Sequence, residues 1–546
     1  MKSEKMQTKY KYIAAAVIFQ IFAVFAYAQD NEVISSVKQE IDRSMEKLKI
    51  DKLKPPFYIG YDLIDAKFLY VTASLGSVVN TETYSMRRGV PTLLVGDYHR
   101  NNTGFGRNAF AQNVSLDNEG LSTSIWEALD RAYKNSAEDY EVKLATIAQQ
   151  KLDQEELDLD DFEKITPTSL SLNPAKINLD KAYWENYAKK VSEIFRKYPE
   201  IIESSVNIFI RDAMHYSCNS ENKRIAMPVP FYQIRLGLFT IADDGQELRR
   251  ELYIEHPSFE QMPKLQTFID SCEAITKKFI EHSKAPMIKE AYSGPVLFEG
   301  QAVPEIFQQM IVGNLLAARK PVRGNSFGGG GGNNLEMMTG KKLISRSLTV
   351  TSLSGSETYK GKKLDAWYPV DAEGVIPDKE LVMIEKGVLK NMLNGRAPTN
   401  KYPHSNGHKR MSVNDVRPNV MPGNVLLSST NSFTDLKKKL IEAAKEEDLD
   451  YAYIIRGYRG IPFEVYRVYV SDGREEPVRG AVMQDFNLKS FKRVLGTSDR
   501  EMIYNTASFG NFVTYIVPDG ILFEELEITK NNGITLKTPF IVPQPK

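Results

Sequence analysis

The sequence predicts an α+β protein: an N-terminal mixed α/β region with antiparallel strands and helices, followed by a β-rich C-terminal domain. Two observations predict it. Up to residue 285, segments with apolar residues every three or four positions alternate with runs of period two. Beyond Ala285-Pro286 helical periodicity becomes rare, and short strand runs punctuated by Gly and Pro take over. No internal repeat and no regular βαβ alternation is present, so the expected division is 1–28 as a signal segment, 29–285 as the α+β region and 286–546 as the β-rich domain.

The first residues carry Lys2, Lys5, Lys9 and Lys11, then an apolar run from Ile13 to Ala26, then Ala26-Tyr27-Ala28 before Gln29. A basic start, a short apolar core and small residues at the cleavage positions read as a secretory signal. The run falls short of the roughly 20 residues of a spanning helix, and no Cys follows Ala28 to carry a lipid. The expectation is an exported protein, periplasmic, with no stable membrane insertion once the segment is cleaved.

Val33, Val37, Ile41, Met45 and Leu48 then form one apolar stripe of a helix, which Pro55-Pro56 ends. From Phe57 to Asp97 the chain is rich in Tyr, Val, Ile and Thr and reads as antiparallel strands. Leu121 to Lys151 returns to helix. The acidic stretch Asp153 to Lys164 reads as a solvated linker or helix face. Tyr183–Tyr198 is a predicted helix and Ser205–Ile210 a strand. Tyr232–His256 reads as a hairpin turning at Asp243-Asp244-Gly245, and Phe259–Ser283 as a helix. In the second half Ser347–Thr351, Glu380–Ile384 and Phe463–Val470 are predicted strands, interrupted by a helix from Phe433 to Glu447.

Composition narrows function. Apolar residues make up 42% and aromatics 10%, enough for a sizeable core. Lys plus Arg equals Asp plus Glu at 70 each, which leaves no overall electrostatic footprint for nucleic acid. Two cysteines, Cys218 and Cys272, exclude a disulfide scaffold and a Cys-rich metal site.

Several motifs invite chemistry and fail on context. Gly328 to Gly332 is not a phosphate loop, because Gly340-Lys341-Lys342 lacks the hydroxyl residue; the segment 326–334 reads as a surface loop. Gly324-Asn325-Ser326-Phe327-Gly328 has neither the preceding apolar strand nor the following helix of a nucleophile elbow. His404 and His408 have helical zinc spacing, but Pro403 and Ser405-Asn406-Gly407 write a turn, and Lys409-Arg410 would repel a cation. Asp371 and Glu373 read as a turn before a strand rather than an acid–base pair.

A set of blocks in order carries a family resemblance. Tyr292-Ser293-Gly294-Pro295-Val296-Leu297-Phe298-Glu299 leads into Ala302-Val303-Pro304-Glu305-Ile306-Phe307. Asp371-Ala372-Glu373-Gly374-Val375, Arg396-Ala397-Pro398-Thr399, Ser405-Asn406-Gly407-His408 and Leu522-Phe523-Glu524-Glu525 follow. Together they resemble the C-terminal domain of the TldD/PmbA metallopeptidase family, and Pro55-Pro56-Phe57-Tyr58-Ile59 and Ala73-Ser74-Leu75-Gly76-Ser77 are similar to its exported branch.

The resemblance implies a His-Glu-x-x-x-His helix and a late Cys as zinc ligands in catalytic members. Here the corresponding stretch, Phe298-Glu299-Gly300-Gln301-Ala302-Val303-Pro304-Glu305, contains no histidine, and no cysteine follows Cys272. Glu299 and Glu305 are then candidates for a vestigial site. By resemblance Arg396, Asn406, Gly407 and His408 lie near the substrate path. The implied role is the noncatalytic partner of a peptide-degrading heterodimer, needing no cofactor itself, with zinc in a homologous catalytic TldD-like subunit; self-association is the other partner option. Two alternatives stay open: a free-standing exported peptide-binding or assembly protein, and an active metallopeptidase using Glu299, Glu305 and His408.

Overall fold

The computed structural model describes residues 32–104, 111–149, 157–319, 334–412, 416–508, 511–531 and 533. The expected signal segment and the glycine-rich loop lie outside the described residues.

The N-terminal part is built on an eight-stranded sheet. Strands β1 (Pro56–Ser74) and β2 (Ser77–Val95) form a long hairpin, and β3 (Glu203–Asn219) pairs antiparallel with β1 from Gly60↔Asn219 to Ala73↔Val206. Leu75 and Gly76, both at positive φ (46° and 75°), make the hairpin turn, the backbone that suits the right-handed twist of two-residue connections. One half of β3 pairs with β4 (Arg224–Pro228), the other with β5 (Phe231–Ile241). β6 (Glu247–His256) completes the predicted hairpin, with Ile241 opposite Glu247 across the Asp-Gly turn.

Strand alternation assigns the sheet two different coverings. Ile59, Tyr61, Leu63, Leu69 and Val71 of β1 face four helices. α1 (Glu32–Lys47) and α2 (Asn118–Gln149) cover one end, α3 (Lys181–Glu193) and α4 (Leu265–Ser283) the other. The intervening Ile64, Ala66 and Phe68 point the other way, to Met411 and Val416. The helix-free face is therefore covered by the C-terminal part of the chain.

Among the described residues that part contains two further large sheets and two small two-stranded ones. β7 (Tyr292–Glu299), β11 (Tyr451–Tyr458), β12 (Pro462–Tyr469) and β15 (Gly520–Lys530) belong to an eight-stranded one. β8 (Leu348–Ser352), β9 (Leu381–Glu385), β10 (Asn424–Ser429), β13 (Glu501–Ser508) and β14 (Asn511–Pro518) belong to a six-stranded one. Only Asp519 separates β14 from β15, so the chain changes sheet in a single residue. The short helix α5 (Ala302–Met310) sits in the core shared by both sheets, with Val303, Ile306 and Phe307 fully buried and the Phe307 ring edge-on to Tyr515. The predicted helix 433–447 is α6 (Leu436–Glu446), whose Asp435 caps it by accepting from Lys438 N. The architecture is the expected α+β one, a helix-bearing N-terminal part and a β-rich C-terminal part.

Three details differ from the sequence reading. The strands at 57–97 are 19 residues each, because β1 and β2 pair along their whole length. Predicted helix 183–198 ends as a 3-10 turn over Ile194–Lys197. The acidic segment, where described, is only partly solvated: Asp158 and Asp160 are exposed, but Asp161 is fully buried and accepts from Lys143 Nζ at 2.7 Å and Asn101 N at 2.8 Å, with Arg319 at 2.8 Å and Arg100 at 3.3 Å. Cations from distant segments compensate its desolvation. Both cysteines are free and buried, Cys218 in the core under α1 and α2 and Cys272 in that under α3 and α4.

Candidate functional site

The strand-to-helix corner β7–α5 holds Glu299 and Glu305. Glu299 ends β7, Gly300 turns the chain at φ 57°, and Glu305 falls in the first turn of α5. Glu299 accepts from Arg456 Nε at 3.0 Å, and the same arginine reaches Glu475 at 2.7 Å. Glu305 accepts from Gln301 at 2.8 Å and from the Tyr458 backbone N–H at 2.9 Å, with Arg459 Nε at 3.7 Å. Burial pushes the Glu305 carboxyl up to about 7, against the Tyr458 amide and Arg459, which favour its charged form. A cavity of about 480 Å³ opens beside the corner, lined by Glu299, Gln301, Arg250, Arg456, Glu464 and Asp519. Arg456 and Arg459 carry no motif that sequence inspection singles out; a charged residue inside the apolar run of β11 is the only signal for Arg456.

The donor set does not suit zinc. Carboxylates without imidazole or thiolate favour hard cations, and both carboxylates here are engaged by arginine or backbone N–H groups. Among the described residues no group of three His, Cys, Asp or Glu is placed to hold a metal ion. The atypical set Glu299, Glu305 and His408 is therefore not assembled. His408 Nε2 lies 3.0 Å from both Ser352 Oγ and Ser354 Oγ, which occupy the ring position a metal would need.

The structure brings Arg396, Asn406, Gly407 and His408 together in a second cluster, in the interior. Arg396 is fully buried. Its guanidinium donates to both oxygens of Glu221 (2.7 and 2.8 Å) and twice to the Glu163 carbonyl (2.9 and 2.7 Å), and lies 4.1 Å from the Phe162 ring centroid. Glu163 in turn accepts from Ser405 N at 2.7 Å and meets His404 Nδ1 at 2.9 Å, so one residue of the acidic segment pins the loop. Asn406 accepts from Asn394 N and donates to the Met392 carbonyl, each at 2.8 Å. Gly407 has φ 76°, and an added Cβ would stand 2.8 Å from Pro377 N, so only glycine fits.

His408 Nδ1 donates to Asn406, and its Nε2 accepts from a serine hydroxyl. Burial holds the imidazole neutral, its pKa down to about 3. In this position His408 braces the loop. Asp371, the nearby turn residue, accepts from Glu373 N and Val375 N at 2.9 Å and from Lys409 N at 3.0 Å. Burial, then Glu373, raises its carboxyl above the ordinary range.

Residues 291–530 match the PmbA/TldA metallopeptidase C-terminal domain. The whole fold is similar to that of TldE from Thermococcus kodakarensis (12% identity, TM-score 0.58, 90% of this chain and 100% of that one). It is also similar to that of a protein described as a candidate modulator of DNA gyrase from Bacteroides thetaiotaomicron (12% identity, TM-score 0.59, 91% and 98%). A protein described in the same way from Thermotoga maritima gives 14% identity, TM-score 0.56, and 90% and 100%. No curated protein matches the chain in sequence.

Proposed function

We propose that this chain is the noncatalytic partner subunit of a peptide-degrading TldD/PmbA-type assembly, exported to the periplasm, in which a homologous subunit supplies the zinc. The observation that carries this reading is the β7–α5 corner. Where the resemblance expects two histidines and a glutamate, this chain has Glu299, Gln301 and Glu305, with both carboxylates tied to Arg456, Arg459 or Tyr458 N. The similarity to the TldE fold supports the same reading. The chain's own residues at this corner neutralise charge and brace a helix; no step of peptide hydrolysis is assigned to them.

The test is co-expression with a family homologue that carries an intact His-Glu-x-x-x-His helix. The proposal expects a stable complex by size-exclusion chromatography and peptide cleavage by that complex, with none by this chain alone. Cleavage by the isolated chain at a rate equal to that of the pair would overturn it.

A further inference from the structure

The helix-free face of the N-terminal sheet carries a second, differently built site. Arg211, Ala213 and His215 alternate along β3 toward the C-terminal part. There they meet the segment 365–372 and Arg410 around a cavity of about 260 Å³. Its walls are mostly apolar, with Met227, Pro230, Trp367 and Phe512 among them.

Arg211 is 2% exposed and, among the described residues, its Nε has no hydrogen-bond partner and its guanidinium has only the Phe231 ring, 5.1 Å away. His215, also 2% exposed, has Nε2 3.6 Å from Asp62 Oδ1, beyond hydrogen-bond reach. Arg410 donates to the Pro422 and Phe512 carbonyls and stacks on Tyr368, with no carboxylate partner among the described residues.

The two carboxylates on the cavity wall are already engaged. Asp365 meets His256 at 2.8 Å and Gln261 at 2.6 Å, and Asp371 accepts three backbone N–H groups. A buried guanidinium without an anion is destabilising, and here it lines a space of small-molecule size.

We propose that this cavity binds the carboxylate of a ligand with an apolar body, held by Arg211 with His215, while the Trp367 and Phe512 walls cover the body. Asp365 and Asp371 on the same wall favour a monoanion over a phosphate dianion. The chemistry is shared by the C-terminal residue of a short peptide and by a free arylalkyl carboxylic acid. The inference is independent of the partner-subunit reading, because binding is measured on this chain alone.

The test is calorimetric titration of the full chain with N-acetyl-Leu-Phe and 4-phenylbutyrate, each beside the primary amide of its carboxyl group. At least one acid binds, and its amide binds at least tenfold more weakly; binding of the dipeptide acid alone assigns the site to peptide ends, and binding of phenylbutyrate assigns it to small acids. Arg211→Met lowers that affinity at least tenfold and does not lower the melting temperature, while Arg211→Lys keeps part of the affinity. Equal binding of acid and amide, or no binding of either acid, overturns the proposal. So does an Arg211→Met variant that melts earlier and keeps wild-type affinity.

Discussion

Arg396 and Arg211 are both buried arginines, and their surroundings differ in every respect that matters. Arg396 has four hydrogen bonds, to Glu221 and to the Glu163 carbonyl, and an aromatic ring beneath it. Arg211 has an aromatic ring and, among the described residues, no anion. A buried charge with four of its five N–H donors used ties segments together: here 163, 221 and 396. A buried charge with unused donors beside a cavity is a place for a ligand. Buried charge in this chain therefore marks architecture in one case and a binding opportunity in the other, and the partner count separates them.

The comparison can be broken by mutation, beginning with the largest effect. Arg396→Met should cost about 3–5 kcal/mol in urea unfolding, because Glu221 and the Glu163 carbonyl lose their donors in the interior. A loss near zero would mean that the junction is not held by this residue.

The next effects appear as pH dependence. With a folded pKa of about 3, His408 binds fewer protons in the native state than in the unfolded one, where it titrates near its ordinary value of 6.5. Its contribution is present above pH 6.5 and lost as pH falls toward 3, with a slope of at most about 1.4 kcal/mol per pH unit. His408→Gln should flatten that limb of the stability curve.

Glu305 has the opposite sign. Its carboxyl is raised to about 7, so its contribution is complete below about 4.5 and is lost as pH rises through 7. Glu305→Gln should therefore be more stable than the parent at pH 8.5, by about 1–3 kcal/mol, and gain little at pH 5. Thermal melts at the two pH values check it. The smallest effect belongs to an exposed pair, Lys134 and Asp130 on α2 at 2.7 Å: Lys134→Ala should change stability by less than about 0.5 kcal/mol.

Local patterns were readable wherever one physical rule decided the outcome. The α1 stripe at 33, 37 and 41 and the 232–256 hairpin were legible because amphipathic period and turn chemistry agree there. The resemblance singles out Glu299 and Glu305, and the structure places them at the β7–α5 corner. Asp161 was not legible. A run of acidic residues reads as solvated, and nothing local announces that Lys143, Arg100 and Arg319 converge on one of them. The burial of His408 was hidden for the same reason, since Ser352 and Ser354 come from a different strand region. Arg211 had a faint signal: continuing the alternation of 205–210 to Ser217 places Arg211 and His215 on one face, opposite the apolar one.

The central claim is that this chain takes part in peptide degradation without supplying the metal. Elemental mass spectrometry of the purified, dialysed chain tests it most directly. The account predicts zinc far below one atom per chain; one tightly held zinc per chain, lost together with peptidase activity on chelation, would contradict it.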